Sequence, residues 1–279
     1  MKNTALILGI MFSVFGLAIT GVSAYFAKED LKKLDKYEEK SHVVIADSKK
    51  LEVECDAGTI NIHHTTGTES YVDYKVLETY EVKIEEGKVE LKRKWQYWFM
   101  PFFGANSTVV DVYLADKDYD MELDLNAGKM NLDEGFTFNT LNITVSAGEF
   151  KSKGDLTVNN YATFKVSAGE LKLVGNTTVT NKAELKVSAG DLDVDNLTAG
   201  VLYTGISAGD IKCKVKSDDI TFKISAGDLK MDIVGELEDY KTTIKKSAGS
   251  CNIKENASGS KKLDGKISAG KAVINFVSE

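Results

Sequence analysis

The stretch Val187-Ser188-Ala189-Gly190-Asp191-Leu192-Asp193-Val194 decides the fold, because close variants of it recur along most of the chain. Its central Ser-Ala-Gly occurs at residues 146–148, 167–169, 188–190, 207–209, 225–227, 247–249 and 268–270. Asn126-Ala127-Gly128 and Asp56-Ala57-Gly58 are two further copies. The predicted corner glycines are therefore Gly58, Gly128, Gly148, Gly169, Gly190, Gly209, Gly227, Gly249 and Gly270. From Gly128 onward, steps of 18 to 22 residues between successive glycines indicate an array of short stacked units.

Apolar and polar residues alternate on both sides of each Ala-Gly pair. Three residues before the glycines from Gly128 to Gly270 stand Leu125, Val145, Val166, Val187, Ile206, Ile224, Lys246 and Ile267. A period of two is typical of strands with one buried face. Glycine supplies the positive φ that a tight corner needs, and alanine fits where a larger side chain would be crowded. The sequence therefore predicts an all-β fold, a single-chain β-solenoid of about eight rungs of about 20 residues each.

Two positions depart from the repeat. Lys246 interrupts the aliphatic column, which indicates a local bulge. Gly200, in Thr198-Ala199-Gly200, is out of period and is expected at the opposite corner of its rung.

The N-terminus carries an export signal. Residues 5–22 are uncharged and long enough for a membrane-spanning helix, although cleavage of a signal peptide near Ala24 is the alternative. Either reading exports the rest of the chain, so we expect a single-pass protein of the cell membrane with an extracellular solenoid. The predicted segments are an anchor or signal peptide at 1–27, a charged stalk at 28–40, an N-terminal capping β region at 41–115, and the repeats at 116–279.

The composition narrows the class of partner. A formal net charge of −7 argues against nucleic acid and against an anionic membrane face as the main partner. Arg93 is the only arginine, so the bidentate clamps that bind phosphates and sugar acids are not available.

The three cysteines follow the repeat. Cys213 and Cys251 fall on apolar columns, and Cys55 stands where other copies have an aliphatic residue. We interpret all three as small buried hydrophobic residues, with one disulfide as the alternative.

One charged ladder is a candidate cation site. The residues directly after five consecutive corner glycines are Glu149, Glu170, Asp191, Asp210 and Asp228. Stacked carboxylates repel one another unless calcium or neighbouring cations neutralise them. The expected neutralising lysines are Lys165, Lys186 and Lys223 before the corners and Lys151, Lys172, Lys212 and Lys230 after them. We favour the lysines, since the GGxGxD motif of calcium-binding β-rolls is absent. His63 and His64 alternate on a strand and are not expected to bind a metal.

An aromatic insertion at residues 95–104 is the best candidate for a binding site. Its candidate binding residues are Trp95, Tyr97, Trp98, Phe99, Phe102 and Phe103. Exposed aromatic side chains of this kind bind membrane surfaces or stack on glycans. The alternative is a cap over the open apolar end of the solenoid.

The repeat resembles a known family. The pattern [VI]-S-A-G-[DE]-[LI]-x-[LV] of residues 187–194 is similar to that of the "putative adhesin" β-strand-repeat family of unknown function, which includes LiaG-like envelope proteins of Gram-positive bacteria. The resemblance covers about residues 41–279 and implies a cell-surface β-solenoid, sometimes encoded beside envelope-stress systems.

These observations favour a non-catalytic surface module for adhesion, binding or display. The repeats contain no arginine, histidine or tryptophan, and a regular ladder offers no single perturbed group for catalysis. We therefore expect no enzyme activity and no cofactor, and an envelope glycan, a lipid or another surface protein as partner. The alternatives are an accessory component of envelope-stress sensing and a carbohydrate-active β-helix enzyme.

Overall fold

A computed structural model describes Tyr37, residues 41–94 and residues 108–278. The described chain is all β apart from a short 3-10 helix at Leu237–Asp239. The strands are β1 (Ser41–Val44), β2 (Lys50–Cys55), β3 (Thr59–Thr65), β4 (Tyr71–Lys75), β5 (Tyr80–Glu85), β6 (Lys88–Arg93), β7 (Val109–Ala115), β8 (Tyr119–Leu125), β9 (Lys129–Leu132), β10 (Phe136–Val145), β11 (Glu149–Ser152), β12 (Leu156–Val166), β13 (Glu170–Val187), β14 (Asp191–Ile206), β15 (Asp210–Lys216), β16 (Asp219–Ile224), β17 (Asp228–Val234), β18 (Tyr240–Lys246), β19 (Ser250–Cys251), β20 (Lys261–Ile267) and β21 (Lys271–Val277).

All of these strands belong to one large sheet that wraps nearly into a barrel. Strands that precede an Ala-Gly corner pair in parallel with one another, and strands that follow a corner do the same. The strands before the corners thus form one wall of the sheet, and the strands after the corners form the other. The corners lie along the line where the two walls meet, and the apolar side chains of both walls point into one shared core.

Corner residues of successive repeats are direct partners in the sheet. Val166 of β12 pairs with Val187 of β13, and Val187 pairs with Ile206 of β14. All three side chains are buried. Backbone hydrogen bonds continue through the corners, as where the Ala189 N–H donates to the Ser167 carbonyl at 2.8 Å. The predicted stacking of the repeats is confirmed for this part of the chain.

Packing between rungs explains the corner glycines. A Cβ atom added to Gly190 would lie 2.2 Å from the carbonyl oxygen of Gly169, and the contact repeats along the stack. The predicted positive φ is present at Gly58, Gly128, Gly148, Gly227 and Gly270. It is wrong for Gly169, Gly190, Gly209 and Gly249, which are outside that conformation. At these four corners glycine is required because the neighbouring rung leaves no space for a side chain.

A second bend is marked by stacked amides. The Asn181 side chain donates to Asn160 at 3.1 Å, Asn160 donates to Asn139, and Asn139 donates to Asp120. In the next rung Gly200 occupies the equivalent place, where the register between β13 and β14 shifts. Gly200 therefore lies at a bend away from the Ala-Gly corner, as its out-of-period position predicts.

The order of the rungs differs from the chain order at the C-terminal end. We expected the Gly249 rung to follow the Gly227 rung, but β20 pairs with β16 on one side and with β18 on the other. In the other wall, β21 likewise lies between β17 and β19. The last repeat of the chain is thus internal, and the Gly249 repeat is terminal.

This order corrects the expectation of a bulge at Lys246. Lys246 pairs with Ile267 in regular register, and its side chain is exposed on the terminal rung. An aliphatic residue is not needed there because, within the described part of the chain, no further rung covers that position. A lysine on an exposed edge strand also opposes pairing with another chain.

The N-terminal end shows the same arrangement. Strands β2 and β3 lie between β6 and β7 on one side and β8 and β9 on the other. Antiparallel strands close this end, since β5 pairs with β6 and β4 joins β7 to β1. The outermost strands are therefore β1 and β5 at this end of the described sheet, and β18 and β19 at the other end.

The cysteines are free thiols. Cys55 and Cys213 are buried in the core as predicted, whereas Cys251 is half-buried because it lies on the terminal rung. Burial raises the pKa of the Cys55 thiol to about 12. Burial also raises the pKa of Cys213.

Among the described residues, no helix is long and apolar enough to cross a membrane. The predicted anchor at 5–22 and, apart from Tyr37, the predicted stalk lie outside these residues.

Candidate functional site

The described residues on either side of the aromatic insertion lie at the line of corners, on an outer rung. Residues 95–107 lie outside the described part of the chain, so the six candidate binding residues there stay a prediction. The flanks are described. The Asp56 N–H donates to the Leu91 carbonyl and the Thr59 N–H donates to the Thr108 carbonyl, both at 2.9 Å. The end of β6 and the start of β7, which flank the insertion in sequence, therefore lie beside the corner of Gly58.

A row of aromatic rings lies on the outer face of the wall that contains β4, β7 and β3. Tyr71 of β4 stacks on Tyr113 of β7, with ring centroids 4.6 Å apart and 15° between the planes. On its other side, Tyr113 stacks on His63 of β3 at 4.9 Å. The register causes this row, because Tyr113 is the direct partner of both Tyr71 and His63.

Carboxylates accompany these rings. His63 Nδ1 lies 2.7 Å from Asp133 Oδ2, and its Nε2 lies 3.2 Å from Asp111 Oδ1. The Asn61 amide also donates to Asp111 Oδ1 at 2.9 Å. Partial burial acts to raise the pKa of Asp133, but hydrogen bonds from Lys153 and His63 outweigh it and hold that pKa below its ordinary value. The row is therefore a fixed hydrogen-bonded array.

His42 and His64 make separate contacts. His42 Nδ1 lies 2.6 Å from Asp73 Oδ1. His64 Nε2 lies 2.6 Å from Asp116 Oδ1, and the ring meets Phe136 edge-on. His63 and His64 thus contact different partners, as alternation along a strand predicts.

A cleft of about 350 Å³ opens beside this array. It is lined by Tyr37, Asp73, Tyr74, Lys75, Val109, Asp111 and Tyr113. The Lys75 ammonium lies 5.3 Å from the centre of the Tyr37 ring. Burial, and next the charge of Asp111, raise the pKa of Tyr113, so its hydroxyl is neutral and can donate a hydrogen bond.

One residue that lines the cleft, Val109, is close in sequence to the aromatic insertion. Val109 is the first residue of β7, and it follows the undescribed segment by one residue. The sequence contained a signal for this site that we did not use. Aromatic and acidic residues alternate with valines at 71–73 and 111–113, which places aromatic and carboxylate groups on one outward face.

The acidic ladder is continuous in the sheet. Its five carboxylates lie on successive rungs, and a lysine stands beyond each end, Lys129 next to Glu149 and Lys271 next to Asp228. Lys129 Nζ lies 2.8 Å from Glu149 Oε2. Lys172 and Lys212 were predicted to neutralise the ladder carboxylates, but their ammonium groups lie nearest to another carboxylate. Their Nζ atoms are 3.8 and 3.9 Å from Asp193 Oδ2.

A separate cluster of three acidic side chains, away from the ladder, is present among the described residues. Carboxylate oxygens of Glu54, Asp56 and Glu90 lie within 4.8 Å of one another. The Asn126 amide donates to Glu54 and Asp56, and Lys88 donates to Glu54 at 2.7 Å. These acceptors are therefore engaged by neighbouring side chains.

The fold and its outer cleft define a class, the all-β proteins built from one wrapped sheet of short repeats. Within that class the chain belongs to the Toastrack DUF4097 family, whose sequence profile matches residues 48–279. The resemblance to the "putative adhesin" repeat family is thereby confirmed.

One solved structure shares the fold at low sequence identity, and others are similar at lower TM-scores. A "putative adhesin" from Bacteroides fragilis is 13% identical, with a TM-score of 0.53 over 87% of this chain and 98% of its own. A "putative adhesin" from Parabacteroides merdae is 12% identical, with a TM-score of 0.41 over 87% and 97% of the two chains. A "putative lipid binding protein" from Parabacteroides distasonis is 11% identical, with a TM-score of 0.39 over the same shares. A comparison with curated proteins gives no match.

Proposed function

We propose that this protein is a non-catalytic binding module of the bacterial cell surface that holds an envelope glycan in the cleft beside β4 and β7. The observation that carries the proposal is the lining of that cleft, in which the rings of Tyr37 and Tyr113 stand beside the carboxylates of Asp73 and Asp111. Sugars offer C–H faces that stack on aromatic rings and hydroxyl groups that donate to carboxylates.

The aromatic insertion supplies further binding surface in this proposal. Trp95, Trp98 and Phe102 belong to a segment whose two ends lie at the corner line next to Val109. A glycan in the cleft would extend toward this segment. The same residues would serve a binding role better than a cap, because antiparallel strands already close this end of the sheet.

Absence of catalysis is part of the proposal. The two facing carboxylates of the cleft are each engaged, Asp73 by His42 and Asp111 by Asn61 and His63. Both therefore suit hydrogen-bond acceptance from a ligand. Anchoring through residues 5–22 would present the cleft outside the cell.

Isothermal titration of the full chain with soluble N-acetylglucosamine oligosaccharides tests the proposal. We expect Asp73→Asn with Asp111→Asn to weaken binding by about tenfold or more, because two charge-assisted hydrogen bonds become neutral ones. Replacing Trp95, Trp98 and Phe102 by serine should also weaken it. The control is Tyr161→Ala, since Tyr161 is 56% exposed on another rung.

Equal binding by the cleft variants and the unchanged protein would refute the glycan site. Incubation of the protein with cell-wall glycan tests the proposed absence of catalysis. Release of reducing ends that stops in the Asp73→Asn variant would show that the protein is an enzyme.

A further inference from the structure

A column of lysines runs along the wall that precedes the Ala-Gly corners. Lys223 of β16 is the direct partner of Lys266 of β20, and Lys266 is the partner of Lys245 of β18. The same row continues the other way through Gly205 to Lys186 and Lys165. Six consecutive rungs thus carry five lysines, about 4.8 Å apart from rung to rung. The internal position of the last repeat sets the order within this column, because it places Lys266 between Lys223 and Lys245.

Among the described residues, four of the five lysines have no carboxylate partner, and Lys186, which pairs with Glu184, is the exception. Among the residues that the structure describes, no acidic oxygen lies within 4.0 Å of the ammonium groups of Lys223, Lys245 and Lys266. Their side chains are exposed and line a shallow groove of about 240 Å³. Thr221, Thr243 and Asp264 form the opposite side of the groove, and Asp264 lies 3.4 Å from Lys262. The groove therefore offers unneutralised positive charge on one side and two hydroxyl groups on the other.

The ring of Tyr203 fills the gap in the column. Gly205 has no side chain, and the Tyr203 ring lies beside it. The ammonium groups of Lys186 and Lys223 lie 5.8 and 5.6 Å from the centre of this ring, on the rungs to either side. These cation–π contacts hold both lysines in line with the column.

The five lysines lie at one end of the row, whereas Lys83, the partner of Glu90, is the cation at its other end. Toward the N-terminal end the same row carries Asp124, Glu54 and Glu90. The net charge of −7 does not cancel the local potential, because charges more than about 10 Å away are largely screened at physiological salt. A partner would therefore meet a short cationic track rather than an evenly charged rod.

We propose that this lysine column binds a linear polyanion whose phosphate groups follow one another along the groove. Lysine ammonium groups and threonine hydroxyls are suitable donors to phosphate oxygens. A linear polymer fits better than an anionic bilayer, because the cationic track is one residue wide and acidic side chains stand outside the groove, at Glu184 in the adjacent row and at Asp219 one row further out. A planar anionic surface would meet these carboxylates as well.

Titration of the full chain with linear inorganic polyphosphate at several salt concentrations tests the proposal. We expect the variant K223Q/K245Q/K266Q to bind about tenfold more weakly or worse, and its slope of log affinity against log salt to fall by about 2, since three phosphate contacts each contribute about 0.7. The matched control K151Q/K212Q/K230Q removes the same charge from the other wall and should retain binding. Single replacement Lys266→Glu should weaken binding while leaving the core intact.

Two comparisons separate the sources of phosphate. We expect monomeric phosphate to compete weakly, because it occupies one rung at a time. Vesicles of phosphatidylglycerol should bind the unchanged protein and K223Q/K245Q/K266Q equally. Equal weakening by the two triple variants, polyphosphate binding that is unchanged in K223Q/K245Q/K266Q, or vesicle binding lost only in that variant would each overturn the proposal.

Discussion

Replacement of two equivalent isoleucines tests the order of the terminal rungs. Ile253 and Ile274 both stand four residues after a corner glycine. Ile274 is 1% exposed, pairs with Met231 of β17, and has the Gly249 rung on its other side. Ile253 lies on that terminal rung, is half-buried, and has no rung beyond it among the described residues.

The expected loss of stability follows from burial. Replacing isoleucine by alanine removes three carbon atoms, which is about 2.4 kcal/mol at about 0.8 kcal/mol for each buried carbon. Incomplete relaxation around the cavity brings the loss for Ile274→Ala to about 3 kcal/mol. The half-buried side chain of Ile253 contributes roughly 1 kcal/mol by the same reasoning.

Urea unfolding followed by far-ultraviolet circular dichroism measures both losses. Stacking in chain order would place Ile253 inside the sheet and Ile274 at its end. A loss for Ile253→Ala equal to or greater than that for Ile274→Ala would therefore refute the rung order.

Three other predictions concern the corners and the thiols. Gly190→Ala should lower the free energy of unfolding by about 3 kcal/mol or more, because the new Cβ would lie 2.2 Å from the Gly169 carbonyl oxygen. The control is Gly67→Ala, whose nearest contact is at 3.4 Å and which should change the free energy of unfolding by less than about 0.5 kcal/mol. In the native protein a thiol reagent should modify Cys251 alone, and equal labelling of Cys55 or Cys213 before denaturation would contradict their burial. Since burial raises the folded pKa of Cys55 from 9.0 to about 12, its stabilising contribution is complete below about pH 9 and is lost as the pH rises toward 12. Between pH 9 and pH 10.5 the unchanged protein should therefore lose about 2 kcal/mol more than Cys55→Ala, and equal losses would exclude this contribution.

The sequence was sufficient to predict the stack but not its order. Local alternation around each Ala-Gly pair fixes which side chains point inward, and the pairing of Val166, Val187 and Ile206 follows from it. The order of the last rungs depends on which repeat covers which, and the repeats of Gly249 and Gly270 have similar local patterns. Lys246 was the available signal, because a lysine in an aliphatic column fits only an uncovered rung.

The candidate cleft was harder to predict for a related reason. Tyr113, Asp111 and Asp73 meet because β7 pairs with β3 in parallel and with β4 in antiparallel fashion. This mixed pairing occurs outside the regular repeats, where periodicity gives no register. The insertion at 95–104 is close in sequence to Val109 of this cleft, and its role in binding stays a prediction.

Distances between spin labels on the corner alanines test the central claim most directly. With the native cysteines replaced, one label is placed at Ala147 and the second in turn at Ala189, Ala208, Ala226, Ala269 and Ala248. Stacked corners predict mean distances that grow by about 4.8 Å at each step in that order, with Ala269 nearer to Ala147 than Ala248 is. Distances without this even progression, or a shorter distance to Ala248 than to Ala269, would contradict the stack and the order of its rungs.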